Sequence, residues 1–306
     1  MENLTAHLLM VRPHRFRKNE QTATNNFYQK ALDGLSDEQI TARAHNEFDH
    51  FVQVLRNHGI RVSVYQDPGI QDTPDALFPN NWVSFHREHQ AIFYPMYAPN
   101  RRLERTDKIF EVLKSDGVDM TLLADFSIYE KNHQFLEGTG SMVLDRQHKI
   151  AYAALSERTD PDLLVQFCDK MDYKPLAFDA YQTVGDQRLP IYHTNVMMSI
   201  GPTFAMVCFD AIDDPTEVAL LKQTLAETHK EVVILSEKQI EQFSGNALTL
   251  QGRTGPLLIM SSSGYKALDD NQKAQLNKHA TLIHSPLPTI ESCGGGSARC
   301  MMAEVF

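Results

Sequence analysis

The sequence of 306 residues contains no uninterrupted apolar stretch long enough to cross a bilayer, so no membrane-spanning helix is predicted. Its N-terminus, MENLTAHLLM, lacks the basic segment and the long apolar core that are typical of a secretory signal. We therefore expect no membrane partner and a cytoplasmic location.

Basic residues are also in short supply. The 29 Lys and Arg residues stand against 39 Asp and Glu, which gives a formal net charge of -10. The basic run RPHRFRK near the start is short and isolated, so a nucleic-acid or anionic-membrane partner is not expected. No linker rich in Pro, Ser or Gly divides the chain. Residues 1–306 are therefore predicted to form a single domain with a sizeable core.

Only four cysteines are present, too few for a disulfide framework in so long a chain, which favours a reducing compartment. Cys168 and Cys208 lie in apolar patterns and are predicted to be inert core residues. Cys293 and Cys300 are too far apart, without a neighbouring histidine pair, to indicate a zinc site. The glycines between them are not followed by the Lys-Ser/Thr of a phosphate-binding loop.

A pattern recurs along the chain roughly every 55 residues, a period typical of a repeated supersecondary unit. Each segment of helical periodicity is followed by a short strand-like run, and several are preceded by a pair of such runs. The helical segments are TARAHNEFDHFVQVLRNHG, RRLERTDKIFEVLKSDG, DPDLLVQFCDKM, DPTEVALLKQTLAETH and DDNQKAQLNKHA. This order predicts an α/β fold of about five strand–strand–helix–strand units, which could close around a central cavity.

The chain finishes ESCGGGSARCMMAEVF, with three glycines shortly before Cys300 and apolar residues after it. A terminus is usually poorly ordered unless the rest of the protein ties it down. We therefore predict that this tail packs back into the body and holds Cys300 in place.

Three polar fragments, FPNNW, LEGTGS and YHTNVMM, stand at the mouths of predicted strands. Taken singly, each is typical of an ordinary turn, cap or partly buried histidine. Together with Cys300 they supply what a cysteine enzyme needs. These parts are a thiol nucleophile, a histidine to move protons (His193) and a carboxylate to orient it (Glu137), and the fragments also supply two amides (Asn81 and Asn195).

The series FPNNW, LEGTGS, YHTN and GGGSARCM, in that order over most of the chain, resembles the guanidine-modifying (pentein) superfamily. The resemblance is greatest to its citrulline-utilization hydrolase and amidinotransferase-like branch, which also has MVRP near the start. It implies an α/β propeller of five pseudo-symmetric ββαβ-type units around a central active site. It further implies Cys300 as nucleophile, His193 as general acid and base, Glu137 as the supporting carboxylate, and no metal or organic cofactor. Cys293 matches no role in the family.

Two departures from the family pattern bear on the substrate. In arginine deiminases, the positions that match Asn81 and Asn195 are aspartates that bind the guanidinium. A guanidinium enters as a cation, and breaking one buried charge pair costs about 3–5 kcal/mol. Asparagine offers a donor and an acceptor, which suit a neutral ureido group. We therefore predict hydrolysis of citrulline to ornithine, ammonia and CO2 through a covalent Cys300 intermediate.

Several alternatives remain open from the sequence. An arginine deiminase-like enzyme, a dimethylarginine hydrolase or an amidinotransferase would use the same residues, and a catalytically silent pentein could bind an amino acid. For the α-carboxylate of an amino-acid ligand, Arg299 or Arg253 could supply a bidentate partner. The expected partner is a small citrulline- or arginine-like molecule. A homo-oligomer is compatible with the sequence, which does not set the oligomeric state.

Overall fold

The computed structural model describes residues 3–306, in which strands form five three-stranded sheets and one two-stranded hairpin. The strands are β1 (His7–Arg12), β2 (Arg61–Gln66), β3 (Val83–His86), β4 (Gln90–Phe93), β5 (Thr121–Asp125), β6 (Val143–Asp145), β7 (Ile150–Leu155), β8 (Lys174–Asp179), β9 (Tyr181–Val184), β10 (Gln187–Pro190), β11 (Met198–Ile200), β12 (Phe204–Val207), β13 (Glu231–Ile234), β14 (Leu248–Gln251), β15 (Pro256–Ser261), β16 (Thr281–Ser285) and β17 (Ala303–Glu304).

The helices lie mainly between the second and third strands of the sheets. They are α1 (Asp37–Asn57), α2 (Lys108–Ser115), α3 (Gly138–Ser141), α4 (Pro161–Met171), α5 (Pro215–Glu227), α6 (Glu237–Ile240), α7 (Ser262–Ala267), α8 (Asp270–Asn277) and α9 (Pro288–Gly294). Helices α4 and α5 both begin at an Asp–Pro pair. The aspartate side chain accepts hydrogen bonds from the first turn, and proline fits the first helical position.

All five three-stranded sheets share one strand order. The first two strands run antiparallel, and the third is parallel to the second and is reached through one or two helices. The sheets are β3-β4-β5, β6-β7-β8, β11-β12-β13, β14-β15-β16 and β17-β1-β2. The predicted α/β fold is confirmed, whereas the hairpin β9-β10 was not predicted from the sequence.

The last of these sheets joins the two ends of the chain. Strand β17 pairs antiparallel with β1, in the register Leu8 to Glu304 and Leu9 to Ala303. The backbone N–H of Val305 also donates to the carbonyl oxygen of His7 at 2.9 Å. These bonds confirm that the tail packs back into the body.

The core contains the two cysteines that were predicted to be inert. Cys168 and Cys208 are buried among apolar side chains, and burial raises the pKa of each thiol to about 12. Within residues 3–306, no helix is both long enough and apolar enough to span a bilayer. The same part of the chain holds no cluster of three or more His, Cys, Asp or Glu side chains suited to a metal ion.

The first strands of the sheets come together and thereby position the polar turns that precede them. Strand β17 contacts β3, and β11 contacts both β6 and β14. A short helical turn lies just ahead of four of these strands: Pro79–Asn81 before β3, α3 before β6, Thr194–Val196 before β11 and Ala298–Met301 before β17. Since three pairs of these turns are in contact, side chains from distant parts of the sequence meet at one place.

Candidate active site

The five residues predicted to carry chemistry or contact substrate come from these four turns. Asn81, Asn195 and Cys300 lie in the turns, while Glu137 and His193 each stand just before one. None of the five is more than 2% exposed. Elements far apart in sequence thus build one buried polar cluster in a protein whose polar side chains are otherwise mostly at the surface.

Glu137 is the carboxylate at the centre of the cluster. Its Oε2 lies 2.8 Å from Nε2 of His193 and 3.5 Å from Nη1 of Arg158, and its Oε1 accepts a hydrogen bond from the backbone N–H of Tyr97 at 2.9 Å. Burial opposes ionisation, but Arg158 and His193 outweigh it and lower the pKa of Glu137 to about 2. Glu137 is therefore ionised at neutral pH.

His193 is neutral at the same pH. Burial lowers the pKa of its imidazole to about 4, although the hydrogen bond to Glu137 acts in the opposite direction. An ionised carboxylate can only accept, so Nε2 of His193 carries the hydrogen and Nδ1 keeps its lone pair. Nδ1 is thus the atom that can take up a proton.

Two amide groups surround the sulfur of Cys300. Nδ2 of Asn246 lies 3.3 Å from Sγ, and Nδ2 of Asn195 lies 3.7 Å away and also donates to the carbonyl oxygen of Thr139 at 3.2 Å. Oδ1 of Asn246 accepts the backbone N–H of Arg299 at 3.0 Å, which fixes the orientation of the Asn246 side chain. Both amides can therefore donate hydrogen bonds to the sulfur.

Asn246 was not singled out from the sequence, although a signal was present. It stands in SGNALTL, two residues before the first residue of β14, just as Asn81 stands two residues before the first residue of β3. All five sheets thus have a polar turn before their first strand. Aligning the five repeated units of the chain with one another, rather than searching for a motif, would have identified Asn246.

Asn81 is held by an arginine that sequence reasoning also missed. Its Oδ1 accepts a hydrogen bond from Nη1 of Arg101 at 2.7 Å, and its Nδ2 donates to Oδ1 of Asn80 at 3.0 Å. Nε and Nη2 of Arg101 pair with the two carboxylate oxygens of Glu104 at 3.0 and 2.9 Å. Asn81 is therefore fixed in place by a buried bidentate ion pair.

The expectation that Arg299 or Arg253 would bind a substrate carboxylate does not fit the structure. Nη1 of Arg299 donates to the carbonyl oxygen of Met302 at 2.7 Å and Nη2 to Oε2 of Glu304 at 3.0 Å. Arg253 lies against Gly59, outside the cluster. Both positions were inferred from residue type alone, whereas the arginines that reach the cluster are Arg101 and Arg158.

A segment near the start of the chain, residues 19–29, packs over the cluster. Nε of Arg158 donates to Oδ1 of Asn25 at 3.0 Å, and Nδ2 of Asn26 donates to the carbonyl oxygen of Gly295 at 3.3 Å. Nδ2 of Asn19 donates to Oδ2 of Asp75 at 2.7 Å. The segment thereby contacts the glycines that precede Cys300.

Gly140 offers a direct test of how tightly the cluster is packed. A Cβ at this position would lie 2.5 Å from Nδ2 of Asn81 and 2.8 Å from Nδ1 of His193. We expect Gly140→Ala to lower kcat/KM at least tenfold, because small displacements of reacting groups are costly. The control is Gly264→Ala, which crowds the carbonyl oxygen of Phe243 outside the cluster and should lower Tm instead. Equal losses of activity in the two variants would contradict this view.

Solved structures similar to this one have low sequence identity. The apo structure of ArgZ, an arginine dihydrolase from the ornithine-ammonia cycle in cyanobacteria, has a TM-score of 0.74 and 16% identity, covering 98% of this chain and 40% of ArgZ. A complex of an AgrE cysteine-to-alanine variant with L-arginine has a TM-score of 0.71 and 16% identity, with the same coverage. The chain thus spans about 40% of the ArgZ and AgrE chains.

A dimethylarginine dimethylaminohydrolase in which histidine is replaced by glycine, as an adduct with S-methyl-L-thiocitrulline, has a TM-score of 0.64 and 11% identity, covering 98% of this chain and 99% of that one. No curated protein matches the sequence. A family model described as "N,N dimethylarginine dimethylhydrolase, eukaryotic" matches residues 12–306. The chain therefore belongs to that family and, with it, to the pentein superfamily of guanidine-modifying proteins.

Proposed function

We propose that the protein is a cofactor-free cysteine hydrolase that cleaves a C–N bond in the ureido group of an amino acid and converts citrulline to ornithine, ammonia and CO2. The observation that carries the proposal is the environment of Cys300. The groups that contact its sulfur, Asn195 and Asn246, are neutral amides. The nearby carboxylate, Glu137, is already engaged by His193, Arg158 and a backbone N–H. This environment suits a neutral group better than a cation.

We also infer that the five three-stranded sheets form the ring of a pentein propeller. The shared strand order and the contacts of β17 with β3 and of β11 with β6 and β14 support this arrangement. In such a ring the polar turns before the first strands would all face the centre, where the proposed reaction takes place.

The first half of the reaction uses Cys300 and His193. The thiol proton passes to Nδ1 of His193, and the sulfur adds to the ureido carbon. The imidazolium, stabilised by Glu137, then protonates the departing nitrogen, which leaves as ammonia. The product is a thiocarbamate in which the ornithine nitrogen remains attached to the carbonyl carbon bound to sulfur.

The second half adds water to this thiocarbamate. Neutral His193 accepts a proton from the water, which attacks the carbonyl carbon, and the proton returns to the sulfur of Cys300 as the C–S bond breaks. The released carbamate loses CO2 and gives ornithine. One water is consumed for each ammonia and CO2 formed, and the cysteine is regenerated.

The same protonation states predict how activity depends on pH. Since His193 must be neutral and its pKa is lowered to about 4, kcat/KM should stay level as the pH falls from 7 and decrease only as the pH approaches 4. An unperturbed histidine would give a decrease near pH 6.5. A pH profile of kcat/KM, corrected for unfolding by circular dichroism at each pH, distinguishes the two, and an acid limb near 6.5 would contradict the assignment.

Buried charges beside the cluster could hold the amino-acid end of the substrate. Arg101 and Arg158 are buried there, but their guanidiniums are engaged by Glu104 and Glu137, which leaves Asp75 as the candidate. Oδ2 of Asp75 lies 3.9 Å from Nε of Arg101, and Oδ1 is buried with no hydrogen-bond partner in the part of the chain that the structure describes. An unpartnered carboxylate oxygen is costly unless a ligand satisfies it, and an α-ammonium group is the matching donor.

Replacing Asp75 tests this assignment. We expect Asp75→Asn to raise KM for citrulline about 10- to 100-fold with a smaller change in kcat, because an ionic contact is lost from the ground state and the transition state alike. The control substrate is 5-ureidopentanoate, which lacks the α-amino group. Its KM should change little in the variant, so the preference for citrulline should shrink. An unchanged preference would contradict the role of Asp75.

One observation favours a guanidino substrate instead. The buried carboxylates Asp75, Glu104 and Glu137 outnumber the buried guanidiniums Arg101 and Arg158 by one. Burial raises the pKa of Asp75 and raises that of Glu104 to about 7, and a bound guanidinium would favour their ionised forms. The matched family model and the L-arginine complex of AgrE are compatible with this second candidate, in which arginine or a methylated arginine is hydrolysed by the same residues.

A panel of substrates separates the two candidates. Citrulline, arginine and N,N-dimethylarginine are each supplied to the wild-type protein, and ammonia, dimethylamine, ornithine and citrulline are measured. The leading proposal expects ornithine from citrulline and little turnover of the other two. Citrulline accumulating from arginine or from dimethylarginine would support the second candidate. No turnover of any of them would contradict both.

A further inference from the structure

A polar cavity has Asn195 but not Cys300 in its lining. Its volume is about 60 Å³, and Asn195 forms part of its wall. The first strands of four sheets contribute Asp145, Ser199, Thr249 and Glu304 to the rest of the lining, and the adjoining turns contribute Arg146 and Arg299. None of the catalytic steps proposed above uses this cavity.

Two hydroxyl groups in its lining have no hydrogen-bond partner within residues 3–306. Ser199 is 4% exposed and Thr249 is 3% exposed, and the side-chain oxygen of each is buried and unpaired. The two residues occupy the same place in their strands, since Ser199 is second in β11 and Thr249 is second in β14. Buried hydroxyls are nearly always satisfied by protein, water or a ligand, so the pair indicates an occupant.

The charged groups at the cavity are its lining residues Asp145, Arg146, Arg299 and Glu304, together with Lys230, which pairs with Asp145 from outside the lining. Glu304, second in β17, is shared by two guanidiniums, with Arg146 at 3.4 Å and Arg299 at 3.0 Å. Asp145 is already paired with Lys230 at 2.9 Å. Among the described residues, these three cations and two carboxylates leave one positive charge in excess.

Asp145 cannot supply the missing negative charge to the guanidiniums. Its Oδ1 accepts the backbone N–H groups of Gln147 and His148 at 3.1 Å each, and its Oδ2 lies 2.9 Å from Nδ1 of His148 and from Nζ of Lys230. Glu304 therefore faces Arg146 and Arg299 alone. Burial lowers the pKa of Arg299 although Glu304 is adjacent, in keeping with incomplete compensation of its charge.

From these observations we propose that the cavity binds a small monovalent anion, which accepts hydrogen bonds from Ser199 and Thr249 and compensates the excess charge of Arg146 and Arg299. One water-sized atom needs about 10–15 Å³, so the space admits a halide or a small oxyanion. The anion stabilises Arg146 and Arg299, both of which bind Glu304. Arg299 also donates to the carbonyl oxygen of Met302. The anion thereby fixes the strand that directly follows Cys300, independently of which substrate the enzyme hydrolyses.

Crystals grown in bromide in place of chloride test the site directly. At the bromine absorption edge, we expect an anomalous peak in the cavity within contact distance of Ser199, Thr249 and a guanidinium. Ordered water alone, with no anomalous peak, would overturn the proposal.

A solution measurement tests the same site without crystals. Tm is compared in chloride and in gluconate of equal ionic strength, since gluconate is too large for the cavity. Chloride should raise the Tm of the wild-type protein by about 2–4 °C over gluconate. The double variant Ser199→Ala/Thr249→Val should lose this difference. Ser285→Ala is the matched control, because Ser285 is also buried and unpaired but lies outside the cavity. A chloride effect that persists in the double variant, or that is absent from the wild type, would overturn the proposal.

Discussion

Replacing Cys300 with alanine should lower kcat for the preferred substrate by about four to six orders of magnitude, because removing a catalytic nucleophile leaves only binding and positioning effects. The thiol is 2% exposed and contacts the amides of Asn195 and Asn246, so the substitution removes a small buried group. Ammonia release in steady state, read beside Tm, measures the effect. Tm should change far less than activity.

Cys293 provides the matched control. It lies in the same tail, is fully buried and packs in the apolar core that also includes Cys300. Burial raises the pKa of its thiol to about 11, which leaves it unreactive near neutral pH. Cys293→Ala should therefore keep kcat within a few-fold of the wild type. If Cys300→Ala kept most of its activity, the nucleophile would have been assigned to the wrong residue.

Glu137→Gln should lower kcat by about three to four orders of magnitude. The ionised carboxylate fixes the hydrogen of His193 on Nε2, whereas a glutamine amide can also donate and so permits the wrong tautomer, a change that costs about 10⁴ in the comparable serine protease triad. The substitution also leaves Arg158 without its carboxylate partner. Activity and Tm are measured together, since both effects should appear.

Glu130 is the control for this variant because its surroundings resemble those of Glu137. Its carboxylate accepts the backbone N–H of Met96 at 2.8 Å and pairs with Arg105, as Glu137 does with Tyr97 and Arg158. None of its hydrogen bonds or ion pairs with the described residues involves a histidine. Glu130→Gln should lower Tm while leaving kcat nearly unchanged. A similar loss of kcat in both variants would mean that Glu137 acts through the fold rather than through His193.

Local patterns were sufficient to predict the longer helices and many of the strands, but not the hairpin β9-β10 or the short helices α3, α6, α7 and α9. Apolar periodicity gave the helices, for example α4 from DPDLLVQFCDKM, where Asp160 accepts hydrogen bonds from the first turn. Short apolar runs gave the parallel third strands, such as β2 in IRVSVYQ and β13 in KEVVILS. These signals lie within a dozen residues of one another and depend on burial alone.

The order of the polar motifs gave most of the candidate site, and the structure brings Glu137, His193, Asn195, Asn81 and Cys300 together. Sequence reasoning went wrong where a side chain had a choice of partners. Arg299 adjoins the nucleophile in sequence, but its guanidinium is bound to Glu304 and the Met302 carbonyl. Adjacency along a turn does not fix the direction of a long side chain.

The residues that were missed depend on contacts between distant parts of the chain. Arg158 reaches Asn25, which is 133 positions away, and Asn246 reaches Cys300, which is 54 positions away. No local motif marks either residue as functional. Asp75 likewise becomes a candidate substrate-binding residue only because its buried Oδ1 is unpaired among the described residues. Such residues become visible when the strands that carry them are assembled.

The covalent intermediate on Cys300 gives the most direct test of the proposed chemistry. The wild-type protein is mixed with citrulline, quenched in acid within a single turnover, and mapped by peptide mass spectrometry. We expect an adduct on the peptide that contains Cys300, with the mass of the thiocarbamate that retains the ureido oxygen and the ornithine nitrogen. The same experiment with arginine would give an amidino adduct, which keeps a nitrogen in place of that oxygen and so differs in mass. No adduct on Cys300 from citrulline, together with turnover that persists in Cys300→Ala, would contradict the account.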